Sequence, residues 1–162
     1  MNKIEKKIID TLKCLKEEHG VYEIKAEFEA EGSRLEEMMR LKDITASLDM
    51  PIILKIGGVE AVTDIFTALS IGVKGIIAPM AETAFAVSKF TNCIHEFVPE
   101  DNREDIEFAI NVETVTAHEN LDTILALDNI NLLQGITVGR VDLVGSMGGD
   151  RGIANSEKIY DI

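Results

Sequence analysis

Residues 52–79 read IILKIGGVEAVTDIFTALSIGVKGIIAP, and this stretch decides the fold class. Ile52 to Ile56 is a short apolar run of strand length. Gly57-Gly58 then leads into a helical segment through Ile65 and Leu69, which Gly72 ends. Gly75 to Pro79 is a second apolar run of the same kind. Two such runs joined by a helix-period segment form a βαβ unit, whose strands lie parallel with a right-handed crossover.

The alternation continues on both sides. Towards the N-terminus, Ile4, Ile8, Ile9, Leu12 and Leu15 mark one face of an opening helix that Gly20 stops. A strand follows over Val21 to Phe28. Ser33 and Glu36 then read as a capping box for a helix carrying Leu35, Met38, Leu41, Ile44 and Leu48. Beyond Pro79, Thr83 to Ile94 reads as a helix, and the charged stretch Pro99 to Asp105 as a surface loop. Ile106 to Val112 is a fourth strand, Thr116 and Glu119 a second capping box, and Gly135 to Gly139 a fifth strand. The expectation is one α/β domain over residues 1–162, with about five parallel strands and alternating helices. Asn155-Ser156-Glu157 reads as a further helix start close to Ile162. A whole (β/α)8 barrel needs about 250 residues, so the reading is a partial TIM barrel cut short rather than a complete open sheet.

Composition narrows the function classes. The 162 residues are 46% hydrophobic, enough for a real core, and carry a net charge of −13. That charge argues against nucleic acid or an anionic membrane surface as partner. No apolar run approaches the roughly 20 residues of a membrane span, and Met1 to Lys7 alternates charge and apolarity unlike a secretory signal. Cys14 and Cys93 are too few for a disulfide framework. The expectation is a cytoplasmic protein. An open parallel sheet edge also predicts association into a homo-oligomer.

The strands carry charge on the face opposite their helix-packing residues. Lys25, Glu27 and Glu29 alternate with Ile24, Ala26 and Phe28; Lys55 lies between Leu54 and Ile56; Ala109, Asn111 and Glu113 oppose Phe108, Ile110 and Val112. A parallel sheet covered on both faces reads as nearly continuous apolar sequence. Here polarity grows towards the C-terminal strand ends, where α/β proteins place ligands. Internal pairing of Lys25 and Lys55 with Glu27 and Glu29 is one explanation; an acidic cluster holding a divalent cation is the other. The stretch from Gly139 to Gly149 reads as a strand end followed by a small-residue loop, where backbone N–H groups can approach a carboxylate or phosphate.

Three stretches together resemble the HpcH/HpaI family of 2-oxo-acid aldolases and citrate lyase β-subunits, within the phosphoenolpyruvate/pyruvate barrel superfamily. They are Ala78 to Thr83, Ile110 to Thr114 with Asn120 to Leu125, and Gly139 to Leu143 ending at Met147-Gly148. The match runs over about Val21 to Gly149, as the second to sixth strands of the family barrel. The resemblance implies a metal-dependent carbon–carbon lyase acting on a small-molecule 2-oxo acid or acyl-thioester. It makes Glu113 and Asp142 the carboxylates for a divalent metal, Mg²⁺ or Mn²⁺. It also makes Gly139, Arg140, Val141 and Asp142 the cradle of the substrate carboxylate.

Departures from the family pattern single out further residues. Lys55 stands where the family has a substrate-binding Arg, and Arg140 where it has Pro, so Arg140 is a candidate for the displaced guanidinium. The aldolases' His falls near Ala30, leaving Glu29 or Glu27 as acid/base. Two alternatives follow: a Schiff-base aldolase using Lys55 (or Lys25) with a pKa lowered by burial, and a non-catalytic carboxylate-binding barrel.

Overall fold

The computed structural model describes residues 1–161. The chain folds as α1 (Lys3–His19), β1 (Ile24–Glu27), α2 (Leu35–Ala46), β2 (Ile52–Lys55), α3 (Val62–Ile71), β3 (Gly75–Ala78), α4 (Ala84–Phe97) and α5 (Glu100–Arg103). It continues as β4 (Glu107–Val112), α6 (Val115–Glu119), α7 (Leu121–Leu125), β5 (Gly135–Val138), α8 (Arg140–Ser146) and α9 (Glu157–Tyr160). All five strands are parallel and lie in chain order, β1-β2-β3-β4-β5. The result is the expected arc of an α/β barrel, open at β1 and β5.

Alternation along the strands sorts the two faces. On the outer face Ile52, Leu54, Ile76, Ala78, Phe108 and Ile110 are buried against the helices. Phe90 of α4 meets Phe108 edge-on, ring centres 6.4 Å apart, tying that helix to β4. Phe90 is fully buried, and cutting such a ring back to alanine typically costs about 3–5 kcal/mol. On the inner face the register lines up Glu27, Lys55, Ile77, Ala109 and Gly135 in one row, with Asn111 and Thr137 above it.

Several boundaries differ from the sequence reading, each for a local reason. β1 starts at Ile24 rather than Val21 because the Val21 N–H donates to Leu15 O at the end of α1, where Gly20 adopts φ 69°. The caps shift by one or two residues. Arg34, not Ser33, precedes α2, and its backbone N–H donates to Glu37. Thr114, not Thr116, caps α6, its hydroxyl accepting the Ala117 N–H at 3.1 Å. The 99–105 loop contains the helical turn α5.

The predicted apolar face of α1 is only partly used. Ile4 is 71% exposed, while Glu5 turns inward, held by the Asn2 N–H and the Arg40 guanidinium. After β5 the chain departs most. The expected loop is the helix α8, whose Leu143 and Val144 pack with Ala154 and Ile159 in a small core of their own. Ile136 and Val138 are left exposed on β5.

Candidate functional site

The register brings the first two site residues together. Glu27 and Lys55 are direct neighbours on β1 and β2, and their charged groups meet at 2.8 Å with each side chain 14% exposed. Burial draws the Lys55 pKa down. The hydrogen bond and charge of Glu27, with the charges of Glu113 and Asp142, outweigh it and hold the ammonium above its ordinary value. One cation therefore senses three carboxylates from β1, the end of β4 and the start of α8.

Glu113 follows β4 directly and is 2% exposed. Its Oε1 accepts the Met80 backbone N–H at 2.9 Å, and its Oε2 accepts Asn111 Nδ2 at 2.9 Å. Met80 reaches this position from the turn after β3 by adopting φ 52°, a left-handed conformation that non-glycine residues seldom take. On the other side Glu113 lies against Gly139, whose N–H continues the ladder to Val112 O. A Cβ at Gly139 would stand 2.6 Å from Glu113 Cβ and 2.7 Å from its Oε2, so the absence of a side chain there makes room for the carboxylate.

Asp142 sits in the first turn of α8, which begins right after Gly139, and is exposed. With Glu113 it supplies hard oxygen donors. A further oxygen belongs to the residue that holds Glu113: Asn111, 3% exposed, gives its NH₂ to Glu113 and leaves Oδ1 buried without a hydrogen-bond partner. Carboxylate and amide oxygens suit Mg²⁺ or Mn²⁺, and an orphaned buried acceptor is what a polar ligand would satisfy. The residues present fit such an ion.

Two expected members are elsewhere. Arg140 opens α8 instead of extending the strand, and its Nη1 donates to Asn155 Oδ1 at 2.6 Å and to Tyr160 Oη at 3.0 Å. With its guanidinium 5.6 Å from the centre of the Tyr160 ring, it is not available to replace the family's arginine. Glu29 lies exposed in the turn after β1, with its Cγ packed towards Gly57. The inward-facing acid on that segment is Glu27. Val141 is exposed on α8. The first-turn N–H groups of Arg140, Val141 and Asp142 have no intrahelical acceptor, as at any helix start. The Schiff-base reading needs a neutral Lys55, and the surrounding carboxylates favour the opposite state. Gly57-Gly58 does not form a phosphate loop either, since the Gly57 N–H donates to Asp64 at 2.7 Å.

Sequence reasoning missed Met80, which acts through its backbone N–H, and gave Asn111 no role. The signal for Asn111 was present in its place on the inner face, two residues before Glu113.

The structure superposes on an HpcH/HpaI aldolase from Desulfitobacterium hafniense DCB-2 with a TM-score of 0.73 at 18% identity, covering 95% of this chain and 64% of that one. Citrate synthase SbnG gives 0.76 at 18% identity, with the same coverage of 95% and 64%. An HpcH/HpaI aldolase/citrate lyase family protein from Burkholderia cenocepacia J2315 gives 0.70 at 15%, covering 96% and 68%. At these identities the likeness establishes the fold, and the chain spans 64% of the length of the first two relatives. No curated protein matches the sequence. The family model for HpcH/HpaI aldolase/citrate lyase matches residues 18–160, nearly the whole chain. The chain belongs to the HpcH/HpaI aldolase/citrate lyase family.

Proposed function

We propose that this chain carries the site of a metal-dependent carbon–carbon lyase acting on a small-molecule 2-oxo acid or acyl-thioester. The observation that carries the reading is Glu113, buried at the end of β4, held by two N–H donors and lying against Gly139, from which α8 starts with Asp142 in its first turn. A hard divalent cation, Mg²⁺ or Mn²⁺, held by Glu113 and Asp142 would supply Lewis-acid stabilisation of negative charge on the substrate.

The chain's own groups divide the remaining work. The free N–H groups at the start of α8 donate hydrogen bonds to the substrate carboxylate, next to the Gly139 opening. Lys55 faces the oxygen on which enolate charge develops. Glu27 takes the proton from the hydroxyl of the aldol. The carbon–carbon bond then breaks, its electron pair passes into the enolate of the 2-oxo acid, and the hydroxyl carbon leaves as a carbonyl. Return of the proton from Glu27 to the enolate carbon completes the cycle. This role replaces the one first considered for Glu29.

The test is twofold. Mn²⁺ binding followed by electron paramagnetic resonance, and Mg²⁺- or Mn²⁺-dependent release of pyruvate or a related keto acid from candidate aldols, should both be lost in Asp142→Ala and Glu113→Gln. Turnover that survives thorough chelation refutes the metal role.

A second reading, a non-catalytic carboxylate-binding barrel, is favoured by one observation. Arg140 is tied to Asn155 and Tyr160 rather than facing the site. Thermal shifts with carboxylates but no turnover across a broad panel would select it. The same proposal extends to a homo-oligomer in the cytoplasm, the association being supported by the exposed apolar side chains of Ile136 and Val138 on β5. Among the described residues, no helix is long and apolar enough to cross a membrane.

A further inference from the structure

At the other end of the fold from Glu113 in sequence, the last turn of α1 gathers a different set of ligands. Cys14, Glu18 and His19 each present one donor atom, and the three atoms lie within 4.8 Å of one another. Among the described residues this is the trio of cysteine, histidine and acidic side chains close enough to share an ion. The catalytic proposal uses none of them.

Their surroundings favour a cation. The neighbouring lysines do not occupy the cluster: Lys13 pairs with Glu17 at 3.9 Å, and Lys16 Nζ donates to Leu48 O at 2.6 Å and Asp49 O at 3.1 Å. The trio also sits at the C-terminal end of a 17-residue helix, where the backbone dipole presents its negative pole. The donors themselves, one sulfur, one imidazole nitrogen and one carboxylate oxygen, suit a borderline-soft ion rather than Mg²⁺ or Mn²⁺. With zinc–ligand bonds of 2.0–2.3 Å, tetrahedral ligands stand about 3.5 Å apart. The cluster needs to contract by about 1 Å, and all three side chains are exposed and free to turn.

We propose that Cys14, Glu18 and His19 form a surface site for Zn²⁺ or a similar transition-metal ion, separate from the oxygen-rich site at Glu113. Three protein ligands leave a coordination position open, so the ion would carry a water or an external ligand. It would also pin the last turn of α1 just before the chain enters β1.

Titration of the reduced full chain with Co²⁺ tests this independently of any activity. A near-ultraviolet thiolate-to-cobalt charge-transfer band should saturate at one ion per chain and be abolished by Zn²⁺ but not by excess Mg²⁺. Cys14→Ser should remove the band. Glu18→Gln and His19→Ala should each weaken binding at least tenfold. Cys93→Ala, at the buried second thiol, should keep it, as should Glu113→Gln. Absence of the band in the native chain, its survival in Cys14→Ser, or undiminished affinity in both Glu18→Gln and His19→Ala would overturn the proposal.

Discussion

Replacing Gly139 by alanine adds one methyl group at the contact on which the candidate site depends. The backbone there has φ −81°, a conformation alanine adopts readily, so any cost is steric rather than torsional. The new Cβ would lie 2.6 Å from Glu113 Cβ and 2.7 Å from Oε2. The first of these atoms is fixed to the backbone and cannot swing aside. Two responses are open. Either the chain around Gly139 and Glu113 shifts, at the about 1–3 kcal/mol typical of overpacking, or Glu113 turns and gives up a bond from Met80 or Asn111. A hydrogen bond to a charged group is worth about 1.5–3 kcal/mol, so both routes predict a similar loss.

Gly145 supplies the comparison. It lies within α8, and a Cβ there meets nothing within 4 Å. Gly145→Ala should be neutral or stabilising by up to about 1 kcal/mol through helix propensity. Urea denaturation of both variants, together with Mn²⁺ affinity, separates the effects. Gly139→Ala should lose about 1–3 kcal/mol and bind Mn²⁺ at least tenfold more weakly. If Gly139→Ala matches the native chain in stability and in Mn²⁺ affinity, the coupling of Gly139 to Glu113 argued here is wrong.

The Glu27–Lys55 pair makes stability depend on alkaline pH. The Lys55 pKa is raised in the fold, so the pair's contribution is complete below the unfolded value of about 10.4 and lost as pH rises through the folded one. Glu27→Gln should cost about 1–3 kcal/mol near neutrality, less than the full penalty of breaking a wholly buried pair. Its stability curve should also be flatter than that of the native chain at alkaline pH. At the start of α6, Thr114→Ala should destabilise by about 1 kcal/mol through loss of the cap to Ala117. Thermal denaturation with Thr116→Ala alongside checks this, since the neighbouring threonine caps nothing and its loss should have little effect.

The fold class was legible because it rests on period. Five short apolar runs separated by helix-period segments leave few ways to bury both kinds of element other than a parallel α/β sheet. The inner and outer faces were legible for the same reason, since a strand alternates sides regardless of what it packs against. Glu113 stood out as an acid on the inner face at a strand end, Asp142 entered through the resemblance to the family, and the pairing of Lys55 with Glu27 was one of the two explanations considered. Caps were less legible: Ser33 and Thr116 have the right chemistry, yet Arg34 and Thr114 stand where the chain turns.

What local pattern could not supply is direction in space. Arg140 reads as a site residue until α8 turns its guanidinium onto Asn155 and Tyr160, and Glu29 until the turn after β1 carries it to Gly57. Asn111 and Met80 enter only when the ends of β3, β4 and β5 are side by side, because a buried orphan oxygen and a backbone N–H leave no mark on side-chain pattern. Periodicity is a property of neighbouring residues, which the chain order already contains. The meetings of Glu113 with Gly139 and of Glu27 with Lys55 depend on strand register and helix placement, and those follow from the packing of the whole arc.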